Sequence, residues 1–192
     1  MDHRPLILTL WLEPRALERL TELCTRHFPP ERNFLQAHLT LFHALPGGLE
    51  PEVRRTLLEV CAATAGFGVE LPGARSLGRG VAIEARSPQL TALRADLARR
   101  WAGWLAPQDR QPHRPHVTVQ NKVTPQEARA LYGQLAADWV PVLGTGPGAR
   151  ALALPGRAVG KAGRLPLQGW GLGLRRRRRR RFFAGVPGSL EP

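Results

Sequence analysis

Two short stretches carry residues whose types and spacing could do chemistry: His38-Leu39-Thr40-Leu41-Phe42 and His116-Val117-Thr118-Val119. Both read His, apolar, Thr, apolar, and their histidines are 78 residues apart. Alternate residues of a β-strand share a face, so each copy points a His and a Thr one way and two apolar groups the other. The apolar pair belongs to a core, and the His and Thr line a surface or cleft. Two such strands facing each other would supply two imidazoles and two hydroxyls to one small polar pocket. That set suits phosphodiester chemistry. One imidazole takes a proton, the other gives one, and the hydroxyls hold phosphoryl oxygens. An imidazole titrates near pH ~6.5, so both protonation states coexist close to neutrality.

The elements that must position these residues are legible around them. Residues 6–12 read as a strand, and Pro14 to Phe28 as a helix with Leu17, Leu20, Leu23 and Cys24 on one stripe. Pro29-Pro30-Glu31-Arg32-Asn33 ends that helix and leads a loop to the first motif strand, 38–45. Pro51 to Ala65 is a second helix, closed by Gly66 and Gly68. Residues 67–72 and 80–85 read as strands around a turn at Gly78-Arg79-Gly80. Ser87 caps a third helix that runs to about Leu105. A polar loop, 106–115, delivers the second motif strand, 116–123. Thr124 and Glu127 form a capping box for a fourth helix, Pro125 to about Trp139. Residues 149–154 begin a last strand. Each motif strand thus precedes a Pro-initiated helix, a weak internal duplication with one His in each half.

The 192 residues suffice for one sizeable domain or two intimate lobes. No apolar run reaches the ~18 residues that cross a bilayer, and the N-terminal residues read as a strand, not a signal peptide. The two cysteines, Cys24 and Cys61, lie in helical patterns and read as reduced thiols, which suits the cytoplasm. The formal charge is +13, but residues 155–192 hold ten of the 28 basic residues and one of the 15 acidic ones, a net of +9. The body, 1–154, is therefore only mildly basic at +4. The tail has eight Gly, four Pro and an unbroken Arg175–Arg181 run, and it shows no period of either kind, so it reads as disordered.

The segments His27-Phe28-Pro29-Pro30-Glu31-Arg32-Asn33, Ala37-His38-Leu39-Thr40-Leu41-Phe42-His43 and Arg114-Pro115-His116-Val117-Thr118-Val119-Gln120-Asn121-Lys122 make a specific match. Over about residues 5–140 the chain resembles the 2H phosphoesterase superfamily, and within it the bacterial 2′-5′ RNA ligase family. The resemblance implies an α+β, bilobed, LigT-like fold with two pseudo-symmetric strand–helix lobes around a central cleft. It implies an enzyme for cyclic-phosphate or 2′-5′ phosphodiester chemistry without metal or cofactor. His38 and His116 would be the general acid and base, and Thr40 and Thr118 would bind phosphate oxygens. The sequence does not order the two imidazole roles, though the reading leans to His38 as acid and His116 as base. Microscopic reversibility leaves ligation and hydrolysis both open.

Around this quartet, Arg114 is a candidate bidentate phosphate donor and Phe42, on the face of His38 and Thr40, a candidate base-stacking residue. His43 falls on the opposite face and reads as structural or at the rim. His113-x-x-His116 has a metal-like spacing, but no Cys or acidic residue completes a ligand set. The expected partner is an RNA or nucleotide phosphodiester substrate, with no membrane, and the chain is expected to be a monomer. Two other readings remain: a non-catalytic nucleic-acid-binding protein using the basic tail, and a small-molecule cyclic nucleotide phosphodiesterase. The tail admits a further account. Leu154–Lys161 can be encoded so that a one-base shift reads Tyr-Leu-Gly-Gly-Pro-Trp-Glu, which resembles the end of the family's last strand. On that account residues 155–192 are a frameshift product, and 1–154 is a 2H phosphoesterase domain missing its last strand.

Overall fold

The two motif strands lie side by side at the middle of one sheet and pair at a single position. The computed structural model describes residues 4–33, 35–144 and the backbone of 172–176. In order these residues form β1 (Leu6–Leu10), α1 (Pro14–His27), β2 (Leu39–Leu45), α2 (Glu50–Ala63), β3 (Val69–Leu71), β4 (Ala74–Ser76) and β5 (Gly80–Glu84). There follow α3 (Pro88–Arg100), α4 (Pro107–Arg110), β6 (His116–Asn121), α5 (Pro125–Asp138), β7 (Val142–Gly144) and β8 (Leu172–Arg176). The fold is α+β. Six strands form an antiparallel sheet in the order β4-β5-β6-β2-β1-β8, and β3 pairs with β7 apart from it.

Local chemistry sets the helix starts. Each helix has proline in its first turn, where the missing N–H costs no hydrogen bond. Ser87 accepts from Leu90 N at 3.2 Å, and Thr124 and Glu127 cap each other's backbone reciprocally. Glu13 accepts from Ala16 N at 3.0 Å in the same manner.

One face of the large sheet is the core. Leu6, Leu8 and Leu10 of β1, Leu39 and Leu41 of β2, Val81 and Ile83 of β5, and Val117 and Val119 of β6 are all buried there. Burying such a side chain contributes about 1.5–3 kcal/mol. Two helical segments cross between halves, whereas α5 packs on β4 and β5 of its own half. Helix α1 packs on β6, with Cys24 Sγ 3.5 Å from the Thr118 carbonyl. The α3–α4 region packs behind β2, where Phe42 meets Trp101 edge-on at 5.2 Å.

The sheet divides between β2 and β6. Leu39 opposite Val117 is the one residue pair they share. Further along β2, side chains from the other half take the backbone groups. Arg94 Nε donates to the Leu41 carbonyl at 2.8 Å, and His113 Nε2 lies 3.0 Å from the Thr40 carbonyl. The Asp109 carboxylate accepts from His43 N at 2.9 Å and Ala44 N at 3.0 Å.

Several sequence expectations are corrected. The third helix stops at Arg100 and passes into a separate turn, Ala102–Trp104, that includes Gly103. The strand expected at 67–72 is the shorter β3, and a further strand, β4, follows the Pro72-Gly73 break. The expected loop 106–115 contains α4. The tail, expected to be without structure, forms β8, whose backbone pairs with the outer edge of β1 from Leu6↔Arg176 to Leu10↔Leu172. An open edge offers unpaired N–H and C=O groups to any extended segment, whatever its side-chain periodicity. The expected strand at 149–154 and the rest of the tail lie outside the described residues.

Candidate active site

The pairing of Leu39 with Val117 fixes the site. In an antiparallel ladder that register sets His38 across from Thr118 and Thr40 across from His116, all on one face. By that register the four positions are the corners of a square, with each histidine across from the other motif's threonine. The imidazoles occupy one diagonal, where backbone positions are roughly 7–8 Å apart, enough for one phosphoryl group between the rings. All four are half-buried, while Leu39, Leu41, Val117 and Val119 beneath them are completely so.

The two rings are anchored alike. His38 Nδ1 lies 2.9 Å from the Gln36 carbonyl, and His116 Nδ1 lies 2.7 Å from the Arg114 carbonyl. A carbonyl only accepts, so in each ring Nδ1 carries the hydrogen and, in the neutral form, Nε2 carries the lone pair. A groove of about 520 Å³ along α1, lined among others by Trp11, Thr21 and Gln36, shares Gln36 with the His38 anchor.

The second histidine has a neighbour that the sequence did not single out. Arg75 Nη2, on β4, stands 3.0 Å from His116 Nδ1. Because Nδ1 donates to Arg114, the guanidinium acts there as a like charge and not as a donor. His116 is held below the ordinary imidazole value, first by burial and then by the Arg75 and His43 charges, against the opposing Arg114 carbonyl and Glu84. The signal for Arg75 was hairpin arithmetic. With Gly78 at φ 77° as the turn, Arg75 pairs with Ala82, and Ala82 pairs with Thr118. Reading 78–80 only as a turn hid it.

Phe42 and His43 exchange the places expected of them. Between β1 and β2 the register slips twice, so Leu41–Phe42 together oppose Leu8 and His43–Ala44 together oppose Ile7. Such bulges shift the alternation that strict period-2 counting assumes. Phe42 consequently lies on the core side, fully buried against Trp101, with the Arg94 guanidinium 3.6 Å over its ring. It is not available to stack a base. His43 instead comes to the face of His38 and Thr40, its side chain 41% exposed and Nδ1 3.0 Å from Asp109 Oδ1. Its charge is felt at both His113 and His116.

Asp109 underpins this turn. Burial alone would raise its carboxyl, but the hydrogen bonds from the His43 ring and from the His43 and Ala44 N–H groups prevail and hold it below the usual carboxylate value. His113 spends Nε2 on the Thr40 carbonyl, and among the described residues no group of three His, Cys, Asp or Glu is placed to hold a metal ion. The Arg114 side chain is exposed beside His116, while its carbonyl anchors the ring.

Against known families, the 2′-5′ RNA ligase superfamily matches residues 10–146, more than half of the chain. The chain belongs to that superfamily. Membership makes it a 2H phosphoesterase. The fold of this 2′-5′ RNA ligase superfamily member is similar to that of the protein TT0787 of Thermus thermophilus, with a TM-score of 0.50 at 18% identity over 72% of this chain and 80% of that one. Similarity also extends to E. coli LigT complexed with 3′-AMP, at TM-score 0.45 and 23% identity over 64% and 75% of the two chains. A structure described as a phosphoesterase gives 0.44 at 20% identity over 64% and 75%. No curated protein matches the sequence. No helix among the described residues is long and apolar enough to cross a membrane.

Proposed function

We propose that this chain acts, without a metal, on 2′,3′-cyclic phosphate ends of RNA or on 2′-5′ phosphodiesters, with His116 as general base and His38 as general acid. The observation that carries the reading is the pairing of Leu39 with Val117, whose register puts the two histidines on one diagonal and the two threonines on the other. In hydrolysis, neutral His116 takes a proton from water through Nε2 as the oxygen attacks phosphorus. The P–O bond to the ribose 2′ or 3′ oxygen breaks, and His38, as imidazolium, protonates that oxygen. Opposite corners of the square suit an in-line displacement, which needs entry and departure on opposite sides. Thr40 and Thr118 donate to the non-bridging oxygens, where charge builds. With a 5′-hydroxyl in place of water as the attacking group, the same pair joins it to the cyclic phosphate as the 2′ or 3′ oxygen departs.

Lowering of the His116 pKa supports its assignment as base, since the free ring is then neutral across the physiological range. Arg75 contributes twice: it disfavours a second positive charge on His116 and places a cation beside an anionic substrate. Cys24 and Cys61 are unpaired and buried, with their thiols pushed up to about 11 and about 12 by burial, which fits a reducing, cytoplasmic setting.

The test is turnover of an oligoribonucleotide ending in a 2′,3′-cyclic phosphate, in EDTA. His38→Ala and His116→Ala should each lose on the order of 10²–10⁴-fold. In the pH profile of kcat/KM, His116→Ala should abolish the acidic limb and His38→Ala the alkaline one. Wild-type activity that EDTA removes, or alanine variants that keep full activity, would overturn the reading.

A further inference from the structure

His43 is unexplained by the reaction above, yet it is built as a working side chain. Its ring is held by a carboxylate whose side chain is 1% exposed, while the ring itself is 41% exposed. Asp109 also takes the two N–H groups, His43 N and Ala44 N, of the bulge that turns this ring toward the cleft. A surface histidine needs no such support. Ionised Asp109 only accepts, so the ring hydrogen sits on Nδ1 and Nε2 is presented to the cleft.

The position along the strand is defined by β1. Thr40 lies opposite Thr9, and His43 lies opposite Ile7, two residue rises further on, or roughly 7 Å. That is the scale of one nucleotide step along a single strand. The same end of the cleft carries the exposed Arg114, so it presents positive charge beyond His116. A carboxylate on one ring nitrogen stabilises the imidazolium that an anion on the other nitrogen demands, and the charge-assisted bond is the stronger kind.

Building on the function proposed above, we propose that His43, oriented by Asp109, is a second phosphate-binding residue that takes the phosphodiester adjoining the reacting one. The site then recognises the end of an oligonucleotide in preference to a mononucleotide. Asp109 is a positioning residue in this scheme, acting through His43.

Calorimetry with adenosine 3′-phosphate and with adenylyl-adenosine 3′-phosphate tests this independently of turnover. Wild type should bind the dinucleotide about tenfold more tightly, the worth of one charge-assisted hydrogen bond. His43→Ala should lose that gain while changing mononucleotide affinity far less, and His43→Gln, which keeps a polar end without the charge, should recover part of it. If wild type gains nothing from the second phosphate, or if His43→Ala weakens both ligands equally, the inference fails. A chain that shows the dinucleotide preference but no turnover would keep His43's role and sink the catalytic reading instead.

Discussion

Replacing Asp109 with alanine probes the joint on which the cleft's third imidazole depends. The substitution removes three hydrogen bonds: from His43 N, Ala44 N and His43 Nδ1. Two backbone N–H groups are then left without their partner, at about 1–3 kcal/mol each where they remain dry. It also removes the charge that counters Arg94, whose pKa burial lowers and Asp109 raises. These effects share groups and do not add in full. The expected loss is about 4 kcal/mol, a large part of a typical domain's 5–15 kcal/mol. Asp109→Asn retains one acceptor oxygen and should lose about half as much. Urea unfolding followed by tryptophan fluorescence reads the change as a lower midpoint at unchanged slope. The sign with pH is fixed by the depressed carboxyl. Its contribution is complete above the ordinary value near 3.8 and is lost as pH falls through the lower folded-state value, so wild type and Asp109→Ala should converge only in strong acid. An Asp109→Ala protein within about 1 kcal/mol of wild type at pH 7 would refute the claim that this carboxylate replaces a strand partner at the bulge.

Two further predictions bear on the site. Arg75→Leu removes a charge that lowers the His116 pKa, so the acidic limb of kcat/KM should move to higher pH while staying below the unperturbed position near 6.5, because burial remains; an unmoved limb in the pH–rate profile would separate Arg75 from the base. Phe42→Ala should cost about 3–5 kcal/mol in chemical denaturation through the cavity it leaves, with KM unchanged under conditions where the variant is folded. A raised KM with intact stability would return Phe42 to the substrate.

What the sequence disclosed was whatever local pattern determines. The alternation in His38–Leu41 and His116–Val119, the Pro and Ser or Thr signals at helix starts, and the turn at Gly78 all operate within a few residues, and the structure follows them. What it hid was set by pairing across the chain. The slips between β1 and β2 exist only relative to Leu8 and Ile7, so no reading of residues 38–45 alone could show that Phe42 turns inward and His43 outward. Arg75 and Asp109 meet the histidines at separations of 41 and 66 residues, beyond any periodic signal. Strand β8 answers the open edge of β1, and its own composition gave no sign of it.

The exchange of helices has a consequence for how this molecule comes into being. Each motif strand is supported from the other half, α1 behind β6 and the α3–α4 region behind β2. The supporting contacts span 94 residues from Cys24 to Thr118 and 53 from Leu41 to Arg94. Neither duplicated unit carries the segment that packs behind its own motif strand, so a fragment holding one histidine lacks part of that strand's support. The chain must commit to long-range loops before any of the site exists, which favours slow, all-or-none folding over a stepwise path. It follows that two such fragments should recover the cleft only by associating.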